Sequence, residues 1–221
     1  EYAERAEKLQ DDFRMIDGVP VAENLYFSGA LGICGPHHVA ADTARSILVQ
    51  LTGLHSPAEL VVAALVSGSW TPEFEWLKWL PHTASPHSPL AAVHLANSQA
   101  TGGALLSAVE DLVDSRPGKG EVRGAKVVEK SALVAGAAVG EGAESIAPPP
   151  AATPAVVLLI SDDAPVDRAR LVQLAERAAD AGVYPVWISP SLGELPAVAR
   201  TYIAPAGDGT GEVGLVRLGD A

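Results

Sequence analysis

The sequence predicts an α/β domain built as a three-layer sandwich, a mostly parallel sheet with helices on both sides. Two unbroken aliphatic runs, residues 60–66 and 155–160, have the composition of strands buried on both faces. Segments with apolar residues at helical spacing alternate with them, the order expected of β-α-β units. With 221 residues and 48% hydrophobic content, the chain is long enough for one sizeable core.

In chain order, residues 2–15 are charged with sparse apolar positions and are predicted to form a lead-in helix ended by Asp17, Gly18 and Pro20. Residues 27–34 read as the first buried strand. Gly35 and Pro36 turn it into a helix on which Ala40, Ala44, Ile47, Leu48 and Leu51 share a face and which Gly53 closes. His55 and Ser56 precede a helical start at Pro57, and strand 60–66 completes the first β-α-β unit. After Ser67, Gly68 and Ser69, residues 71–80 are predicted to be a short helix with inward-facing tryptophans, stopped by Pro81. A short strand at 91–95 and a helix at 98–114, with Leu105, Val109 and Leu112 on one face, make a second unit.

From 115 to 154 the composition shifts to Gly, Ala, Pro and isolated charges, with Pro148, Pro149 and Pro150 in a row, the pattern of an insertion or linker. Within it, 127–139 fits an edge strand and a helix equally well. Then come strand 155–160, a helix from about 165 to 181 with Pro165 in its first turn and Gly182 at its end, strand 183–188, and terminal strands 201–204 and 212–218 joined by a Gly-rich turn at 207–211. The expected organisation is a lead-in helix over 1–17 and a single domain over 18–221, interrupted at about 115–154.

Charge and cysteine content exclude several functions. A net charge of −12 is the opposite of the basic face that displaces counterions from nucleic-acid phosphates. The single cysteine, Cys34, lies in an aliphatic strand where a thiol is inert and has no partner for an internal disulfide, which suits a reducing compartment. No apolar run approaches the ~20 residues that cross a bilayer, so the segment reads as soluble and cytoplasmic. Its start at Glu1 and its single methionine, Met15, suggest a piece of a longer protein. Residues 23–28, Glu-Asn-Leu-Tyr-Phe-Ser, approach a protease tag site but end in Ser, and are read as native.

Phosphate chemistry has two places to sit. A phosphate-binding loop runs from a strand through G-x-x-x-x-G-K-[ST] into a helix; at that place stand Gly32, Ile33, Cys34, Gly35, Pro36, His37 and His38, with no lysine between Lys8 and Lys78. The loop is too short and Pro36 removes an N–H donor, which argues against Mg·ATP hydrolysis there. The helix start over Gly35, Pro36, His37 and His38 still offers free N–H groups to an anion, or is a plain turn with two exposed histidines. The strand 156–160 followed by Ser161, Asp162 and Asp163 has the form of one whose terminal acids orient Mg²⁺ and water; an aspartate that caps the following helix is the competing reading. His37, His38, His82 and His87 have no spacing that builds a zinc site with the cysteine, and no nucleophile elbow appears.

The run Glu75 to Thr83, Glu-Trp-Leu-Lys-Trp-Leu-Pro-His-Thr, concentrates aromatics in an aromatic-poor chain and acts as a fingerprint. Together with Val19-Pro20-Val21 leading to a strand that ends in Gly32 to Pro36, with Ala44 to Leu51, His55-Ser56-Pro57, and Asp180-Ala181-Gly182 before 183–188, it resembles the FtsK/SpoIIIE-family motor ATPases of type VII secretion (EccC/EssC), in the divergent domain that precedes their ATPase modules. The resemblance covers about 18–114 and 155–204. It implies a degenerate P-loop NTPase-like fold at the cytoplasmic face of the membrane, within a membrane-anchored, hexamer-forming parent that uses ATP and Mg²⁺ to export small helical proteins.

The departures at Pro36, His37 and His38 then point to a non-catalytic coupling and assembly domain with no cofactor of its own. Gly35, Pro36, His37, His38, Asp162 and Asp163 would be the remnant of a nucleotide site. Trp76, Trp79 and His82 would contact other domains of the chain, neighbouring subunits or membrane components of the system, with no direct nucleic-acid or membrane contact. Two alternatives stand: a divergent domain that binds or hydrolyses ATP, and an unrelated α/β ligand-binding module.

Overall fold

The computed structural model describes residues 5, 23–116, 152–206 and 211–215. The elements, in order, are a single helical turn α1 (Leu25–Ser28), β1 (Leu31–Cys34), α2 (His37–Leu54), β2 (Leu60–Leu65), a short α3 (Thr71–Phe74) that runs into a 3₁₀ turn (Glu75–Trp79), β3 (Leu95–Ala96), α4 (Gln99–Ser115), β4 (Ala155–Ser161), α5 (Arg168–Ala178), β5 (Val183–Ser189), β6 (Thr201–Pro205) and β7 (Gly211–Leu215). They form one seven-stranded sheet in the order β3-β2-β4-β5-β1-β6-β7, parallel except for the β6–β7 pair.

The alternation of side chains along the central strands builds two cores. Val156, Leu158 and Ile160 of β4 join Val61, Ala63 and Leu65 of β2 and the buried faces of α4 and α5 on one side of the sheet. Val157 and Leu159 join Val62 and Ala64, α2 and Phe74 on the other. The three-layer, mostly parallel reading therefore holds. Pro185 sits in a central strand, a place proline avoids, but β5 pairs there with β4 alone because β1 begins only opposite Val186.

Several boundaries differ from expectation for local reasons. Phe27 and Ser28 are helical rather than strand, because the Asn24 carboxamide accepts the Tyr26 N–H at 3.0 Å and starts a turn. Gly53 lies inside α2, which ends at Leu54. The expected strand over 91–95 shrinks to Leu95–Ala96. Pro165 precedes α5, whose start is fixed by Asp167 accepting the Arg170 N–H at 2.9 Å. Gly182, at φ 74°, ends the following 3₁₀ turn in the left-handed region open to glycine. On the antiparallel edge the Tyr202 ring fills the space a side chain would need opposite it, so residue 214 is glycine: a Cβ there would stand 2.3 Å from the ring.

Apart from residue 5, the lead-in helix expected over 1–17 falls outside the described residues, as do the stretch 127–139 and residues 207–210 of the turn expected at 207–211. The anchors of the 115–154 segment are in view: at the end of α4, the Arg116 guanidinium donates to the carbonyls of Ala181 (2.9 Å) and Pro154 (3.0 Å). Both ends of that segment thus meet at the amino ends of the parallel strands. Arg116→Ala leaves two carbonyls without their donor and should cost about 1–3 kcal/mol, seen as a lower denaturant midpoint with unchanged slope. Arg116→Lys, which cannot span both acceptors, should recover less than half of the loss.

Candidate functional site

Both faces of the parallel strands are covered by helices, so polar side chains collect where the strands stop. At this carboxyl edge lie the β1–α2 connection, the Ser67–Ser69 segment after β2 and the Ser161–Asp163 segment after β4.

The first connection is only Gly35 and Pro36. The Gly35 N–H is bonded to the Ser189 carbonyl at 3.1 Å, and proline has none to give. Pro36 is the N-cap of α2 and supplies no side-chain cap, and the first turn carries no acidic residue. His37 stacks on Trp70 with ring centroids 3.8 Å apart, and Trp70 stacks in turn on Phe74 at 6.1 Å. The His37 Nε2 lies 4.0 Å from the Glu73 carboxylate, which also accepts from Arg45 at 3.0 Å. His38 is exposed.

The two aspartates after β4 face different partners. Asp162 forms an ion pair with Arg168, while its N–H continues the sheet to the Ile188 carbonyl at 2.9 Å. Asp163 accepts from the hydroxyls of Ser67 (2.8 Å) and Ser69 (3.1 Å), which tie β4 to the exit of β2. Burial is the largest single influence on its carboxyl group and favours the neutral form, but the hydroxyls of Ser67, Ser161 and Ser69 together outweigh it and hold Asp163 below the usual carboxylate range. The expectation that one of these acids caps the next helix is corrected: Asp167 does so, five residues beyond Asp162 in sequence.

The fingerprint also resolves differently from expectation. Tryptophans 76 and 79 do not both face inward. A 3₁₀ turn has three residues per turn, so residues three apart eclipse; Phe74 and Leu77 take the core line, and Trp76 and Trp79 share the next one. Trp76 is half-buried against the α2 side of the core, whereas Trp79 is 79% exposed, with the Lys78 ammonium 5.4 Å over its ring and Lys78 paired to Glu75 at 2.5 Å. His82 is buried and donates from Nε2 to the His55 carbonyl at 2.8 Å, and its Nδ1 has no partner among the described residues. It staples the end of α2 to the edge of β2, where its own carbonyl accepts the Val62 N–H at 3.1 Å.

The structure therefore gathers Gly35, Pro36, His37, His38, Asp162 and Asp163 at one edge, and places Trp76, Trp79 and His82 on the β2–β3 connection. Sequence reasoning passed over Trp70, Glu73, Ser67, Ser69 and Arg168. The Ser-x-Ser pair directly after a buried strand was the available signal for two of them. Among the described residues no group of three or more His, Cys, Asp or Glu side chains is arranged to hold a metal ion, and no helix is long and apolar enough to cross a membrane. A groove of about 350 Å³ runs along the outer face of α4, lined among others by Pro89, Ala91, Ala104, Ala108 and Asp111, and takes no residue from the carboxyl edge.

No family model matches the chain. Among curated proteins it is 32% identical over 131 residues to the ESX-4 secretion system protein EccC4 of Mycobacterium tuberculosis, a match covering 55% of this chain and 11% of that protein. The chain thus spans about a tenth of that relative's length. Among solved structures it is similar to Thermomonospora curvata EccC (ATPases 2 and 3) in complex with a signal sequence peptide, with TM-score 0.50 and 18% identity over 84% of this chain and 33% of that one. It is also similar to EssC (ATPases 2 and 3) from Geobacillus thermodenitrificans, with TM-score 0.51 and 16% identity over 81% and 32%.

The Asp163 carboxylate has a testable pH signature. Its folded value lies below the unfolded one, so its stabilisation is fully present above the unfolded value of about 3.9 and is lost as pH falls through the lowered folded value. Denaturation of wild type and Asp163→Asn from pH 7 down to about 2 should show a stability gap that narrows below about pH 4. A gap constant with pH would refute the ionised, hydroxyl-bound state.

Proposed function

We propose, for a chain that is related to the EccC/EssC ATPases of type VII secretion and shares the fold of their ATPase modules, that it serves as a non-catalytic coupling and assembly domain of such a motor. The observation that carries this reading is the state of the two carboxylates after β4. Asp162 is neutralised by Arg168, and Asp163 is held by Ser67 and Ser69.

Phosphoryl transfer is almost wholly positioning and charge stabilisation, which needs a backbone cradle, a cation on the terminal phosphates and carboxylates free for Mg²⁺. Here the two-residue β1–α2 connection adds no N–H to those at the start of α2, the first lysine after Lys8 is Lys78, already paired with Glu75, and both acids are engaged within the chain. These residues do not fit Mg·ATP. In this reading ATP and Mg²⁺ act elsewhere in the parent, at the cytoplasmic face of the membrane and in a hexameric assembly, and power export of small helical proteins.

The contact surface in this reading centres on Trp79, with Trp76 beneath it and His82 holding the loop in place. An indole left 79% exposed on a rigid 3₁₀ turn is a large apolar area with little conformational entropy to lose, the character of an interface anchor. Its partners are other domains of the chain, neighbouring subunits or membrane components of the secretion system. One observation favours the alternative of a divergent nucleotide site: the start of α2 has no side-chain cap, so its partial positive charge is open to an anion.

Two measurements decide between these. Calorimetry of the purified chain with Mg·ATP should give no binding heat, and phosphate release should not exceed the protein-free rate; saturable binding or turnover overturns the non-catalytic reading. Trp79→Ala should leave the melting temperature within about 2 °C of wild type, as expected for an exposed position, yet abolish secretion or assembly when placed in the full-length parent. Intact secretion would remove Trp79 from the interface.

A further inference from the structure

The connection between β5 and β6 closes over the part of the core with unanswered polar atoms. Trp187 and Ser189 are two residues apart on β5 and so share a face of the sheet; both are 1% exposed, and among the described residues neither Trp187 Nε1 nor Ser189 Oγ has a hydrogen-bond partner. Leu195 and Val198 pack against the cluster that contains Trp187. Leu195 also covers Gly32, the register partner of Trp187 on β1, where a Cβ would stand 2.6 Å from the leucine methyl.

Within this connection the hydrogen bonds are short-range: Glu194 N–H to Ser191 carbonyl at 3.2 Å, Leu195 N–H to Leu192 carbonyl at 3.2 Å, and Ala199 N–H to Pro196 carbonyl at 2.9 Å. Among the described residues, its hydrogen-bonded tie to another element is Arg168. That guanidinium, at the first position of α5, lies 6.0 Å over the Trp187 ring and donates both to the Asp162 carboxylate and to the Glu194 carbonyl.

We infer that Arg168 is a latch and that residues 191–195 form a strap with two positions. In the closed position the strap keeps Leu195 on Gly32 and the Trp187 ring out of water, while two buried donors stay unpaired. In the open position water reaches both donors, and apolar surface is exposed instead. Neither arrangement satisfies everything, so the charge-assisted fork from Arg168 decides between them. Asp162 orients that fork; a cation or a partner surface that takes over its carboxylate removes the orientation and releases the strap. This makes Asp162 a positioning residue for a surface segment, independent of whether the domain binds nucleotide.

Hydrogen exchange on the whole chain tests this. In Arg168→Ala the amides of residues 192–195 should exchange at least tenfold faster while those of α4 stay unchanged. Asp162→Asn should give the same pattern more weakly. Arg168→Lys should not rescue, since one ammonium cannot reach both acceptors in the fork geometry. Ser189→Ala, which deletes an unpaired hydroxyl, should slow exchange in the strap. Unchanged protection in Arg168→Ala, an equal rise throughout α4, wild-type protection in Arg168→Lys, or faster exchange in Ser189→Ala would each overturn the latch.

Discussion

Everything in this domain is organised around β4, which is hydrogen-bonded along its length to β2 on one side and β5 on the other. Its residues Val156 to Ile160 are all at most 1% exposed and alternate between the two cores. Burial of that kind contributes on the order of 25 cal/mol per Å² of apolar surface, and it leaves no room for an unpaired polar side chain. A strand covered on both faces can present polar chemistry only where it ends. The location of the candidate site therefore follows from the core.

At that end the charges are answered from within the chain. A cation approaching Asp162 competes with Arg168, and one approaching Asp163 must displace two serine hydroxyls. Both partners of this ion pair are partly exposed, so it contributes at most about 1 kcal/mol; its effect is to put a cation where another would have to bind. At the start of α2 the situation is reversed: free N–H groups and a partial positive charge remain, but the neighbouring side chain is an imidazole stacked on Trp70 and near Glu73 rather than a lysine. The donors and acceptors at this edge thus serve to fasten the fold.

The strands were legible because their signal is local and strong. The aliphatic runs of β2, β4 and β5 have no other stable use in a chain of this composition, and Leu105, Val109 and Leu112 mark the face of α4 by spacing alone. The errors arose where a small geometric change has a large consequence. Asn24 turned two residues of an apparent strand into a helical turn. A 3₁₀ step of 120° in place of an α step of 100° carried Trp79 from the core line to the surface. Asp162 and Asp163 looked like caps because a helix follows, yet a capping side chain must sit directly before the first turn, and Asp167 does. The ties that define the edge, Ser67 to Asp163 and His37 to Trp70, join residues 96 and 33 positions apart, and no periodicity encodes them.

Those long ties join the connections at the carboxyl edge to one another. Gly35 binds the carbonyl of Ser189 and so links β1 to β5; Ser67 and Ser69 bind Asp163 and link β2 to β4; Arg168 links the end of β4 to the β5–β6 connection. The central strands β2, β4, β5 and β1 are thereby tied to a neighbour where they end. The sheet beneath is close-packed on both faces and deforms little. The same side chains that end the central strands thus fasten neighbouring connections to one another.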